Sequence, residues 1–370
     1  MSGGTPSWAG ASQPRTTRAA FLFGAGDIRW HEAALGDLTP GRVRVRFGAG
    51  GICGSDLHYF RHGKSGDFVL NSPLVLGHEI AGTVVSVGGA VSGLEAGDRV
   101  AVNPARPCRA CDNCRAGRAN LCNDIFFLGS ASRTPHMQGG FAEYFDVAAE
   151  QCIKVPAGVP FDEAALCEPL AVALHAVARA AAALKASGSD SSGAFTGKNV
   201  SVFGAGPIGL MILIALRQSG ADRVTLIDID DMPLELARRL GAAEVINSKS
   251  GSSAFVGSQE FDLAFEASGS PAGLADAMRS LRKGGALVQV GNLPAGEVPV
   301  PMNLVMSKEL TVLGTFRFNE EFARAVQLVA SRAIDVTPLI TARVPLTQAA
   351  RGFELALDRS SNIKVVLTRQ

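Results

Sequence analysis

Between Asn199 and Val290, short β-prone segments alternate with helix-forming ones. Nothing else in the chain restricts its fold as much. Val200–Phe203, Val224–Asp228, Glu244–Ile246, Leu263–Glu266 and Ala286–Val290 are predicted strands. Helices are predicted from the end of the first strand to about Ser219, over Pro233–Leu240 and over Leu274–Leu281. Alternation of this kind predicts a parallel, doubly wound α/β sheet. Residues 18–165 have a different texture. Arg42-Val-Arg-Val-Arg-Phe47 alternates with period two, putting Val43, Val45 and Phe47 on one face. Ile80–Val87 and Arg99–Val102 are further short strands, punctuated by Gly88-Gly89, Gly93 and Gly97-Asp98. This part is predicted to be mostly β with long loops. Ala164–Leu184 is alanine-rich and favours a helix between the two parts. Beyond Asn319, the helix Glu321–Ala330 and the strand Lys364–Leu367 are predicted to close back onto the first domain.

The first strand of the alternating region runs into Gly204-Ala-Gly206-Pro207-Ile208-Gly209, which opens the next helix. In that frame each glycine has a reason. Gly204 allows a tight turn, Gly206 lets backbone approach a pyrophosphate, and Gly209 lets the helix pack on the strand. Asp228 ends the following strand, 19 residues after Gly209, where a carboxylate accepts hydrogen bonds from an adenosine ribose. The same charge repels a 2′-phosphate, and no Arg follows it, so NAD is favoured over NADP. The alternative is a βαβ unit with no ligand.

Cys108, Cys111, Cys114 and Cys122 fall within fifteen residues. Their spacing supplies four thiolates for one tetrahedral zinc with no open position, hence a structural site. An iron–sulfur cluster and free thiols are the alternatives. The chain is long and its cysteine count, seven, is odd, which argues against a disulfide framework. Cys53, His78 and Glu168 lie in separate segments. Three such ligands leave a fourth position open, as a catalytic zinc requires.

Lys+Arg number 35 and Asp+Glu 34, a balance that gives no basic footprint for nucleic acid. No run approaches the ~18 to 20 apolar residues of a membrane span. Residues 1–17 are Gly/Ser/Thr/Pro-rich without the apolar core of a signal peptide, so a disordered tail and a cytoplasmic protein are expected. Ser187–Gly193 is expected to be an exposed loop. Charged residues make up 19%, below the ~25% common in soluble domains, which points to extensive burial or an oligomer.

Taken together, these motifs resemble the zinc-containing medium-chain alcohol dehydrogenases. Gly77-His78-Glu79-x2-Gly82-x5-Gly88-x2-Val91 is similar to their zinc signature. The four-cysteine lobe, Gly97-Asp98-Arg99-Val100 and the nucleotide motif follow in the family's order. Asn103–Cys108, Gly129–Ala131, Glu168–Val172 and Phe316–Phe322 resemble the polyol branch, which includes sorbitol dehydrogenases, and within it the L-idonate 5-dehydrogenases. The resemblance implies a Rossmann domain over 172–316 and a GroES-like catalytic domain over 18–171 and 317–370. It also implies two zinc ions per chain, NAD, a homotetramer or homodimer, and a secondary hydroxyl of a sugar acid or polyol as substrate. Cys53 and His78 match catalytic-zinc ligands, with Glu79 or Glu168 as the third, and Asp56 matches the partner that orients His78. Ser55 and His58 match a proton relay, and Tyr59 and Arg317 match positions near substrate. Two departures stand out: Pro233 replaces an Arg common five residues after the ribose-binding acid, and Ser187–Gly193 is long. Oxidation of L-idonate to 5-dehydro-D-gluconate is the leading expectation. Sorbitol, xylitol or another secondary alcohol is the alternative, and a zinc- and nucleotide-binding protein without turnover is a third reading.

Overall fold

A computed structural model describes residues 14–186, 193–250 and 260–369. Residues 1–13 of the expected tail and 187–192 of the expected loop lie outside the described residues. The last residues assigned to that tail already belong to a strand, Thr16–Gly24. The chain divides into two units. The first holds the described residues up to Glu168, together with Ile340–Asp358 and the chain from Lys364. The second holds Pro169–Leu339 and Arg359–Ile363.

In the first unit, a seven-stranded sheet runs in the order Cys152–Lys154, Arg99–Val102, Glu79–Val87, Arg42–Gly51, Lys364–Thr368, Ile340–Pro345; Tyr144–Ala148 also pairs with Arg42–Gly51. Val43, Val45 and Phe47 are buried, as the alternation predicted. Arg44 on the other face is buried too, its guanidinium paired with Asp146 at 2.8 Å. A smaller sheet joins Thr16–Gly24 to Asp27–Ala34 and Leu74–Val75. Register builds the site. Gly51 pairs with Glu79 and Val366 pairs with Gly51. Cys53, His78 and Lys364 are therefore delivered to one end of the sheet from three distant stretches of chain.

In the second unit, six parallel strands run in the order Glu244–Asn247, Arg223–Asp228, Asn199–Phe203, Phe261–Glu266, Leu281–Gln289, Thr311–Gly314. Val200, Val202, Leu226, Leu263 and Phe265 have no exposed surface, which is how a parallel sheet covered by helices reads in sequence. The strand order reverses between Asn199–Phe203 and Phe261–Glu266. That is the switch point where such sheets take ligands.

Three expectations need correction. Residues 317–339 belong with the second unit rather than the first. The helix Glu321–Ala330 buries Phe322, Ala325, Val326 and Val329, and Glu321 accepts a hydrogen bond from His175 at 2.9 Å. The predicted helix over Ala164–Leu184 is two helices, Phe161–Ala165 and Cys167–Ala186. The second of these is long and apolar enough to span a membrane, contrary to the expectation that no run comes near. Its residues Leu170, Ala173, Ala176 and Ala180 are fully buried within the protein, which is the burial of a core helix.

Candidate metal centres and dinucleotide cradle

The four clustered cysteines converge. Their sulfurs lie within 4.8 Å of one another. Cys108 Sγ and Cys114 Sγ are 4.0 Å apart, and Cys111 Sγ and Cys122 Sγ 3.9 Å. Four thiolates at ~2.3 Å around a tetrahedral zinc stand ~3.8 Å apart. A disulfide needs ~2.05 Å, and a multi-iron cluster spreads its cysteines over several metals. Backbone N–H groups aim at the sulfurs: Ala110 N and Cys111 N donate to Cys108 Sγ at 3.4 and 3.3 Å, and Cys108 N and Asp124 N donate to Cys122 Sγ at 3.2 and 3.3 Å. Amide donors hold the Cys108 thiol below its ordinary range and bring Cys111 down to about 6. Burial and its neighbours Cys111 and Cys122 push the Cys114 thiol up to about 12, so without a cation the lobe keeps part of its protons.

Cys53, His78 and Glu79 form a second group whose ligand atoms lie within 4.8 Å of one another. Cys53 caps the helix Gly54–His62, and its N–H donates to Asp56 Oδ2 at 3.0 Å. Asp56 Oδ1 stands 3.5 Å from His78 Nδ1, a charge contact rather than a hydrogen bond. Burial alone would lower the His78 pKa, but Asp56 and Cys53 beside it raise it well above its ordinary value. Lys364 Nζ donates to Glu79 Oε1 at 2.6 Å and to Ile52 O at 3.0 Å. Glu79 Oε2 is buried and has no hydrogen-bond partner among the described residues. Glu168 lies outside the 4.8 Å set, yet burial pushes its carboxyl up to about 7, with Glu79 and Asp56 raising it and His78 and Lys364 lowering it. Four acidic groups (Cys53, Asp56, Glu79, Glu168) thus face two basic ones (His78, Lys364) in a buried place. A divalent cation fits that imbalance and the orphaned oxygen.

In the second unit the glycine motif takes the predicted form. Gly204 has φ +97°, and a Cβ on Gly209 would lie 1.8 Å from Gly204 O. A Cβ on Gly206 would meet no protein atom within 4 Å. No protein atom fills the space that a side chain would take there. Pro207 and Ile208 start the helix Pro207–Gln218, whose N-terminus faces that space. Asp228 Oδ2 accepts from Ala205 N at 2.6 Å, and its Oδ1 from Ile229 N and Asp230 N at 2.7 and 3.0 Å. The carboxylate is therefore fixed beside the motif.

Comparison with known proteins places the chain in a family. Residues 39–157 match the alcohol dehydrogenase GroES-like domain, and residues 207–331 match the zinc-binding dehydrogenase domain. The sorbitol dehydrogenase of Bacillus subtilis is 32% identical over 360 residues, covering 96% of this chain and 98% of its own. This chain belongs to the zinc-containing alcohol dehydrogenases. The L-idonate 5-dehydrogenase (NAD(P)+) of Escherichia coli is 36% identical over 333 residues, covering 90% of this chain and 93% of its own. The crystal structure of an Escherichia coli L-idonate 5-dehydrogenase superimposes with a TM-score of 0.88 at 34% identity, covering 95% of this chain and 98% of that one. Within the zinc-containing alcohol dehydrogenases, the relatives are of the polyol and sugar type.

The remaining predicted residues of this dehydrogenase fall as follows. Ser55 is half-buried and His58 exposed on the helix that Cys53 caps, and the His58 ring lies 6.2 Å from that of His62. Tyr59 is buried, and its hydroxyl accepts from Ala131 N at 3.1 Å, so it holds the turn around Gly129–Ala131. Arg317 belongs to the second unit, where it has φ +54° and its guanidinium lies 4.7 Å over the Phe316 ring. Sequence reasoning missed Lys364. The available signal was a lone cation opening an otherwise apolar strand, Lys364-Val-Val-Leu-Thr368.

Proposed function

We propose that this dehydrogenase oxidises a secondary hydroxyl of a sugar acid with NAD, and that its substrate is L-idonate, giving 5-dehydro-D-gluconate. The observation that carries the chemistry is the donor set of half-buried Cys53 with buried His78 and Glu79 and its orphaned carboxylate oxygen. Zinc held there would act as a Lewis acid on the substrate hydroxyl. NAD in the cradle of Gly204–Gly209 and Asp228 would accept the hydride. The chain's own residues handle the rest. Asp56 keeps the His78 ring oriented. Ser55 and His58 pass the hydroxyl proton outward, and the exposure of His58 suits exchange with bulk water. Glu168, whose carboxyl sits near neutrality through burial, is suited to hold a water proton beside the donor set.

The substrate assignment is supported by the Escherichia coli relative and by Arg317, whose planar fork matches a sugar-acid carboxylate. A neutral polyol is the second reading, favoured by the Bacillus subtilis relative. NADH formation followed across a panel of aldonates and polyols decides between them. Arg317→Ala should raise KM for L-idonate at least ~tenfold while leaving a neutral polyol nearly unchanged. Equal effects on both would remove the carboxylate argument.

A homo-oligomer is part of the same proposal. It is supported by the outer strand Thr311–Gly314 and the exposed Val312, Met302, Met306 and Phe316. The absence of any disulfide among the seven cysteines suits the proposed cytoplasmic setting. Light scattering on the purified protein tests the assembly; a monomer would end that part of the proposal.

A further inference from the structure

The second unit holds a buried acid that none of the readings above employs. Glu266 ends the strand Phe261–Glu266 and has no exposed surface. It lies at the switch point, paired in register with Phe203, which leads into the glycine motif. Its Oε1 accepts from Ser268 N at 2.8 Å, Ser268 Oγ at 2.5 Å and Gly269 N at 3.0 Å. Its Oε2 accepts from Gln289 Nε2 at 2.6 Å, and the same nitrogen donates to Gly291 O at 2.8 Å. The Glu266 carbonyl accepts from Val290 N and Gly291 N, each at 2.8 Å. One residue thus ties the loop after its own strand to the loop after the next strand.

The two loops are in van der Waals contact at this point. A Cβ on Gly291 would lie 2.4 Å from Gly269 N and 2.7 Å from Glu266 Oε2. The first loop also reaches the nucleotide motif. Ala267 N donates to Phe203 O at 2.8 Å, and a Cβ on Gly204 would lie 2.7 Å from Ser268 N. No Lys or Arg pairs with Glu266 among the described residues. Its negative charge is met by loop amides, a hydroxyl and the Gln289 side chain. Burying a carboxylate on such terms is costly unless its acceptor positions are filled, so moving either loop would be resisted.

We propose that Glu266 is a positioning residue for the nicotinamide half of the dinucleotide. In a sheet wound this way, the half that begins at Asn199–Phe203 and ends at Asp228 takes the adenosine. The half that begins at Phe261–Glu266 takes the other mononucleotide. Glu266 fixes the two loops at the carboxyl ends of that second half. Its loss should therefore weaken binding of the whole dinucleotide and spare binding of the adenosine part. The proposal rests on the dinucleotide reading under Proposed function.

The test uses the zinc-loaded enzyme and Glu266→Gln, which keeps the side chain's size. Its new amide must either meet the Gln289 donor head-on or force Gln289 to turn and release Gly291. Fluorescence titration should show the Kd for NADH rising about tenfold or more, the loss of one hydrogen bond to a charged group. Calorimetry with 5′-AMP should show a Kd within about twofold of the unsubstituted enzyme. Gln289→Ala removes one donor and should reproduce the same split at about threefold, and it decides alone if circular dichroism finds Glu266→Gln unfolded. An unchanged NADH affinity in folded variants overturns the proposal. So does an equal loss for NADH and 5′-AMP, which would mark general loosening. If the unsubstituted enzyme binds neither nucleotide, the dinucleotide reading itself falls, and this proposal with it.

Discussion

Lys364 and Glu79 are 285 positions apart in sequence and 2.6 Å apart in space, both buried. Burial alone would lower the Lys364 pKa, but Glu79 and Cys53 beside it raise it, so the ammonium stays charged. The strand Lys364–Thr368 thus delivers a lysine that neutralises part of the acidic group formed by Asp56, Glu79 and Glu168.

Removing that lysine should strand a buried carboxylate. Lys364→Met is expected to destabilise the metal-free protein by ~3–5 kcal/mol, because an unpaired buried charge costs more than the pair itself is worth. Lys364→Met combined with Glu79→Gln should recover part of the loss. Thermal unfolding of the chelator-treated variants checks this; single and double variants melting together would show that the pair does not hold the pocket.

Metal analysis should separate the two sulfur-containing groups. The unsubstituted protein is expected to carry two zinc ions per chain. Cys111→Ser and Cys53→Ser should each carry one. Only Cys53→Ser should lose turnover while keeping its thermal stability close to that of the parent. If Cys111→Ser still bound two, the four-cysteine lobe would not be a metal site.

Asp228→Asn keeps the shape of the side chain and removes the charge set beside the glycine motif by the amides of Ala205, Ile229 and Asp230. The Kd for NAD should rise about tenfold, and the ratio of NADP to NAD affinity should increase as the repulsion of a 2′-phosphate disappears. Equilibrium binding of both cofactors measures it, and an unchanged ratio would remove Asp228 from cofactor choice.

The His175–Glu321 pair gives a pH prediction remote from the metal pocket. Burial would raise the Glu321 pKa, but the hydrogen bond from His175 and the N–H of Asn319 outweigh it, so the folded pKa is lowered. A depressed carboxylate contributes stability that is present above its unfolded pKa and lost as pH falls through the folded value. Glu321→Gln should therefore cost about 1 kcal/mol at pH 7, after allowing for solvent screening, and nothing in strong acid. Melting curves from pH 7 downward should converge; parallel curves would contradict the assignment.

What the chain declared locally held up well. Arg99–Val102 and Glu321–Ala330 span the same residues in sequence and structure, and the strands flanking the glycine motif shift by a residue or two. The four-cysteine lobe was legible because all four cysteines lie within fifteen residues. Thr16–Gly24, Asp27–Ala34, Thr311–Gly314 and Ile340–Pro345 were not read as strands. Thr311–Gly314 is a four-residue outer strand whose residues are all exposed or half-exposed, so it lacks the apolar run that announced the strands inside the sheet.

The amino-acid sequence by itself determined two things: a dinucleotide-type sheet and a closed set of four thiols. Each depends on neighbours in the chain, where spacing and periodicity carry the information. Tertiary structure alone decided the rest. Residues 317–339 joined the second unit because the face of Glu321–Ala330 found its burial there, beside His175. The Gly51–Glu79 register set Cys53 next to His78, and the Val366–Gly51 register brought Lys364 to Glu79. Strand pairing makes neighbours of residues hundreds of positions apart, and no local pattern records which strands will pair.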